Sequence, residues 1–245
     1  MFSSFSSFSS TFAAGKTFTG IGDTLVTNSL ILHYDSFNYV SGETIEDETD
    51  HNNDGIVSGA TYNSPIFDFD GTNDYIRTSD LDDQITAVSE NHSVEIWFKT
   101  SVSTAGQLLQ YSGRTSPNTN YHFAGIEVYR DNLIFSLWNG TGLTSNSSSD
   151  NVTDDNWHQV VMTYDGAYKR GYLDGSLVSS AQAVTWDSPM DDSEPGLYFY
   201  FGAKSNTSAQ ETNYFSGSIR IMRIYNKTLT SNEIAQNYAF NQNTF

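Results

Sequence analysis

NWHQVVMTYDGAYKRGYLDGSLV, from Asn156 to Val178, alternates bulky and polar residues in two runs, Trp157 to Tyr164 and Tyr168 to Leu173. Each run stops at an Asp-Gly pair, Asp165-Gly166 and Asp174-Gly175. Asp-Gly between alternating apolar runs predicts tight hairpins, because type I′ turns need φ > 0. Three antiparallel strands in meander order follow. Within the first, Trp157, Gln159, Val161 and Thr163 share one face, and His158, Val160, Met162 and Tyr164 share the other. Apolar residues on both faces predict a strand covered on both sides, as inside a sandwich.

Composition agrees with an all-β chain. The 245 residues include 18 Gly but only 4 Pro, 14% are aromatic, and Ser, Thr and Asn crowd the inter-strand segments. Helical periodicity is clear only near the C-terminus, where Thr230 and Glu233 have capping-box spacing and predict a short helix over 231–239. Further strands are expected within Leu25 to Val40, at Phe67 to Ile76, Ser93 to Thr100, Gln107 to Tyr111, Tyr121 to Tyr129 and Leu133 to Trp138, with a turn at Arg130-Asp131-Asn132. Leu197 to Ala203 reads as a buried strand, Tyr214 to Ile224 as the closing strand, and the Ser/Asn-rich stretch to Asp155 as a loop.

Three segments carry a family resemblance: NWH through YDG to YLDG, then FDGTNDYI (Phe69 to Ile76), and FSGSIRIMRIYNKTLTSNEIAQNY (Phe215 to Tyr238). Their order and spacing, over roughly residues 24 to 240, resemble the laminin-G-like, concanavalin A-like lectin/glucanase family. The resemblance implies a two-sheet antiparallel jelly-roll sandwich with a short C-terminal helix. It divides the chain into an extended N-terminal arm, residues 1–20, and a laminin-G-like domain, residues 21–245. Function is implied less narrowly, because this fold hosts lectins, adhesion modules, glycoside hydrolases and viral structural proteins.

A net charge of −18, from 29 acidic and 11 basic residues, repels phosphate backbones and anionic membranes, so neither nucleic acid nor membrane is an expected partner. Cysteine is absent, which removes disulfides, thiolate metal sites and cysteine nucleophiles together. The N-terminus has neither a basic nor an apolar leader region, and no apolar run reaches the roughly 18 residues of a membrane span.

Asp50, Asn52, Asp54 and Gly55 form D-x-N-x-D-G, the first half of a calcium loop, in which alternate oxygen side chains converge and Gly permits a sharp bend. The twelfth position is Thr61 where an EF-hand has Glu. Two readings stand: a calcium site at Asp50, Asn52 and Asp54 or, as the family resemblance implies, a tight loop entering a strand. At the end of one expected strand, Trp138 and Asn139 offer a ring to stack on a sugar and an amide for its hydroxyls; burial of Trp138 in the core is the alternative. The acidic stretch Asp187, Asp191, Asp192, Glu194 reads as a solvated loop or a rim metal site.

Glycoside hydrolysis needs two carboxylates. Glycosidases of the superfamily carry them as E-x-D-x-x-E on one strand, and Glu95 is followed at the matching positions by Trp97 and Thr100. A non-catalytic module is expected. The low-complexity arm spaces Phe2, Phe5, Phe8 and Phe12 with small polar residues, an apolar display suited to a groove on a neighbouring subunit. The resulting expectation is a structural or binding protein on a virion surface or other extracellular assembly, reached without a signal peptide and held to capsid proteins by its arm. Calcium-dependent binding of cell-surface glycans is the alternative, and glycoside hydrolysis the second.

Overall fold

The computed structural model describes residues 24–81, 83–85, 91–114, 121–138, 143–184, 197–205 and 211–244. The chain runs through β1 (Leu30–Asp35), a 3-10 turn (Ser36–Asn38), β2 (Thr44–Ile45), β3 (Gly55–Ser58), β4 (Thr61–Asn63), β5 (Ile66–Asp70) and β6 (Tyr75–Arg77). It continues as β7 (His92–Lys99), β8 (Gly106–Arg114), β9 (Tyr121–Tyr129), β10 (Asn132–Trp138), β11 (Leu143–Ser147), β12 (His158–Tyr164), β13 (Tyr168–Leu173) and β14 (Ser176–Ala183). The last elements are β15 (Tyr198–Phe201), the short pair β16 (Lys204–Ser205) and β17 (Glu211–Thr212), β18 (Ser216–Tyr225) and α1 (Ser231–Asn241). None of the described helices is long and apolar enough to cross a membrane.

Two antiparallel sheets form the sandwich. The first has the order β14-β13-β12-β7-β18-β5-β4, and the second the order β11-β10-β9-β8-β15-β6-β3-β2. β18 is long enough to take two partners on one edge: β5 pairs along Ser216 to Ile219, and β1 along Ile221 to Tyr225. Strand alternation then sorts side chains. Val94, Ile96 and Phe98 of β7, Val160 and Met162 of β12, and Phe199 and Phe201 of β15 enter the main core between the sheets. A second apolar cluster, with Val26, Val161, Tyr172, Tyr225, Leu229 and Ile234, lies on the other side of the first sheet under α1. β12 is therefore covered on both faces, as its sequence predicted.

Turn chemistry separates the hairpins. Asp174 and Gly175 both take left-handed φ, 48° and 77°, as do Arg130 and Asp131 at 52° and 66°. These are the tight turns expected. At Asp165-Gly166 only Gly166 is left-handed, and the connection is longer. There the Asp165 carboxylate accepts the amides of Ala167 and Tyr168 and pairs with Arg170, so side-chain hydrogen bonds replace the two-residue turn.

Other boundaries depart from the sequence reading. The first strand is only Leu30–Asp35, since Asp35 caps the following turn by accepting from the Phe37 amide. The Ser/Asn-rich segment after Trp138 contains a full strand, β11, whose pairing with β10 supplies what its composition does not. Leu197 to Ala203 is buried as expected except at half-buried Tyr198, with Phe199 and Phe201 in the core and Tyr198 and Tyr200 on the opposite face. The helix forms as expected and runs two residues further, with the capping box in place: Thr230 Oγ1 accepts from the Glu233 amide and Glu233 from the Thr230 amide.

Candidate functional site

The outer faces of the two sheets differ, and Glu95 shows how. It is fully buried on the outer face of the first sheet. Its Oε1 accepts from Trp97 Nε1 at 3.2 Å, Gln159 Nε2 at 2.9 Å and Arg223 Nη1 at 3.0 Å, and its Oε2 accepts from Asn237 Nδ2 at 2.8 Å. Asn237 also donates to the Tyr225 hydroxyl and accepts from the Val26 amide, and Arg223 donates to Asn241 Oδ1. Trp97 stacks on Tyr238 at 5.6 Å with the rings 2° apart. The helix thus presents Asn237 and Asn241, one turn apart, to a buried Glu95–Arg223 pair. A carboxylate saturated in this way holds α1 down and cannot reach a substrate.

Loop 47–55 is organised by a residue the sequence reading passed over. The Asp47 carboxylate accepts from the amides of His33, Thr49 and Asn53 and from the Thr49 hydroxyl. Asp50, Asn52 and Asp54 are exposed; Asn52 donates to the Asp50 carbonyl, and Asp54 accepts the Asp47 amide. The left-handed bend falls at Asn52, φ 57°. Gly55 opens β3, and a Cβ there would lie 2.7 Å from the Tyr34 hydroxyl, so packing of Tyr34 accounts for this glycine. Among the described residues no group of three or more Asp, Glu or His side chains is placed to hold a metal ion. Beside this loop a cleft of about 120 Å³, lined by Asp35, Asn38, Tyr39 and Glu48 among others, is smaller than the roughly 300 Å³ of ordinary small-molecule pockets. Burial there raises the Glu48 carboxyl above its ordinary range.

Two histidines flank the first sheet with opposite electrostatics. His33, paired in register with Arg223, is held well below the usual imidazole range by burial and then by the Arg223 charge. His158 has Nδ1 2.8 Å from Asp174 and Nε2 3.1 Å from Asp154. Burial opposes its protonation, but the two carboxylates outweigh burial and raise its pKa.

The second sheet's outer face is built otherwise. One cross-strand row passes through all eight strands: Ser145, Ser136, Gly125 and Gln110, then Tyr200, Arg77, Ile56 and Thr44. At its β15-β6 end Tyr75 and Tyr200 lie 5.9 Å apart, and the Arg77 guanidinium sits 5.0 Å over the Tyr198 ring. Tyr75, Arg77 and Tyr198 are half-buried and Ile56 is exposed, while Tyr200 and Gln110 are buried. Over Gly125 the Gln107 amide fills the space a side chain would take, donating to the carbonyls of Leu109 and Ile126. A patch of aromatic rings with a guanidinium edge can pack against a sugar face and donate to its oxygens.

The proposed residue Trp138 closes β10, and pairing through Phe123 and Ser112 places it in the same cross-sheet row as Tyr198. Asn139, Phe2, Phe5, Phe8, Phe12 and the acidic stretch from Asp187 to Glu194 lie outside the described residues. The sequence reading missed the tyrosine–arginine patch. Its signal was the alternation of Tyr and Phe in LYFYFGA, which puts two tyrosines opposite two core phenylalanines.

Solved structures share this fold at low identity. Domain 4 of AbnA, a GH43 extracellular arabinanase from Geobacillus stearothermophilus in complex with arabinotriose, is 16% identical, with a TM-score of 0.64 over 86% of this chain and 98% of that one. The binding domain of botulinum neurotoxin DC in complex with SialylT is 17% identical, with a TM-score of 0.62 over 87% of this chain and 51% of that one. Trypanosoma rangeli sialidase in complex with the inhibitor DANA is 14% identical, with a TM-score of 0.64 over 88% of this chain and 33% of that one. The chain spans about half the length of the neurotoxin binding domains it matches. No curated protein sequence matches it. The model of the concanavalin A-like lectin/glucanases superfamily matches residues 70–235, well over half of the chain, and the protein belongs to that superfamily.

Proposed function

We propose that the protein is a non-catalytic carbohydrate-binding module whose binding surface is the outer face of the second sheet at Tyr75, Arg77 and Tyr198. The observation that carries this reading is the tyrosine–arginine patch, where half-buried rings meet a guanidinium that stacks on one of them. Two observations support it further. The superfamily's catalytic pattern is broken at Glu95, which is sealed under α1. The arabinanase domain that this chain matches along nearly its whole length is described in complex with arabinotriose. A glycan array followed by calorimetry on the strongest binder tests the proposal. Tyr198→Ala should abolish or strongly weaken binding while the protein stays folded; undiminished binding in that variant would overturn it.

Two finer proposals rest on the sequence. The first is a calcium ion at Asp50, Asn52 and Asp54. A melting temperature raised by calcium and lowered by EDTA, with the response lost in Asp50→Ala, tests it. The second is a role on a virion surface or similar assembly, with residues 1–20 as the arm. Deletion of residues 2–18 should leave melting unchanged and remove the protein from the particle.

A further inference from the structure

We propose that Arg77 makes this surface selective for acidic saccharides, those bearing a carboxylate or sulfate beside an unsubstituted sugar face. The inference rests on the carbohydrate-binding reading and adds the class of ligand.

Among the described cations, Arg77 and Arg130 lie over tyrosine rings rather than beside a carboxylate, and of the two only Arg77 is half-buried. With 29 acidic and 11 basic residues, carboxylates are in large excess, and four described cations of the first sheet find them: Lys99 pairs with Asp155, Arg170 with Asp165, Arg220 with Asp35 and Arg223 with Glu95. Arg77 is half-buried and, among the described residues, its guanidinium has no carboxylate or hydrogen-bond partner; its contact is the Tyr198 ring. A guanidinium carries five N–H donors in a rigid plane, and one stacked on a ring keeps its edge free. That edge matches the two oxygens of a carboxylate or sulfate in bidentate geometry. Partial burial strengthens such a bond over its value in water.

Position supports the same assignment. Arg77 shares its cross-strand row with Tyr200 and Ile56, so an anion on its edge lies beside an apolar platform. Simple phosphate or acetate would gain only the charge, and the overall charge of −18 repels free anions. A ligand with an apolar sugar face and one anionic group uses both features.

The test compares lactose, sialyllactose and sulfated lactose on the full chain by calorimetry. The wild type should bind at least one anionic ligand roughly tenfold or more tightly than lactose, the range of a hydrogen-bonded charge. Arg77→Gln should erase that preference, bringing the affinity for the anionic ligand down to that for lactose on the same variant, and Arg77→Lys, which keeps charge without the fork, should restore only part of it. Sulfated lactose binding more tightly than sialyllactose, again through Arg77, would assign the anion as sulfate. Equal wild-type affinity for all three, or a preference that survives Arg77→Gln, would overturn the role of Arg77 and leave carbohydrate binding standing. Failure to bind any saccharide would overturn both. Because Arg77 gives up a cation–π contact but, among the described residues, no hydrogen-bond or charge partner, Arg77→Gln should stay folded and melt within a few degrees of the wild type.

Discussion

The outer face of the first sheet and the outer face of the second are made by the same alternation of residues, yet they end in opposite states. On the first, Gln159, Arg223 and Asn237 all donate to the buried Glu95 carboxylate beneath α1. On the second, Arg77 keeps its donors and Tyr198 part of its ring. Polar groups buried with their partners specify a packing, whereas polar groups left without partners on a surface are available to something else. One face is consumed by the fold and the other is left for a ligand.

The contrast is open to direct attack. Glu95→Ala should have the largest effect, a loss of about 3–5 kcal/mol in denaturant unfolding, because it leaves Arg223 buried without its counter-charge. A loss below 1 kcal/mol would show that the first face is not sealed as described. Asn237→Ala removes bonds to Glu95, Tyr225 and Val26 and should cost about 1–3 kcal/mol. On the other face Tyr198→Ala should cost less than either, about 1–2 kcal/mol, since the ring is only half-buried and its cation–π contact with Arg77 is worth about 0.5–1 kcal/mol.

The smallest expected effect is on pH dependence, and its sign differs between the two histidines. His33 has a lowered folded-state pKa, so its contribution is complete above the unfolded value of about 6.5 and is lost as pH falls below it. His158 has a raised one, so its contribution is complete below about 6.5 and is lost as pH rises through the folded-state pKa. In melting curves from pH 5 to 8, His33→Gln should reduce the acid-side loss of stability and His158→Gln the loss on the alkaline side. Glycan binding should stay flat over that range, because the second face relies on tyrosine and arginine. A binding midpoint that follows either histidine would break the separation of the faces.

Much of the sandwich was legible because it is local. The Asp-Gly hairpin at Asp174, the alternation in β7 and β12 and the Thr230–Glu233 capping box depend on neighbours in sequence. β3, β4, β6 and β11 are short or polar, and partners hold them as strands. The sites were less legible for the same reason. Glu95 read as a carboxylate lacking a catalytic partner, but its real partners, Arg223 and Asn237, stand 128 and 142 residues away. The D-x-N-x-D-G spacing drew attention to Asp50 and Asp54, while Asp47, just upstream, ties the loop through amides no motif encodes. Arg77 falls one residue past the expected strand Phe67 to Ile76, and only the pairing with β15 brings it beside Tyr200.

The pairing of β1 with β18 puts Leu30 opposite Tyr225. During synthesis, the early strands of the first sheet must therefore wait, with their hydrogen-bonding edges open, until the ribosome has delivered the strand that joins them. Such long-range pairing slows folding and prolongs exposure of sticky edges. A nascent chain arrested before residue 216 would hold β1, β5 and β7 without their common partner, which makes premature termination a route to aggregation in this protein.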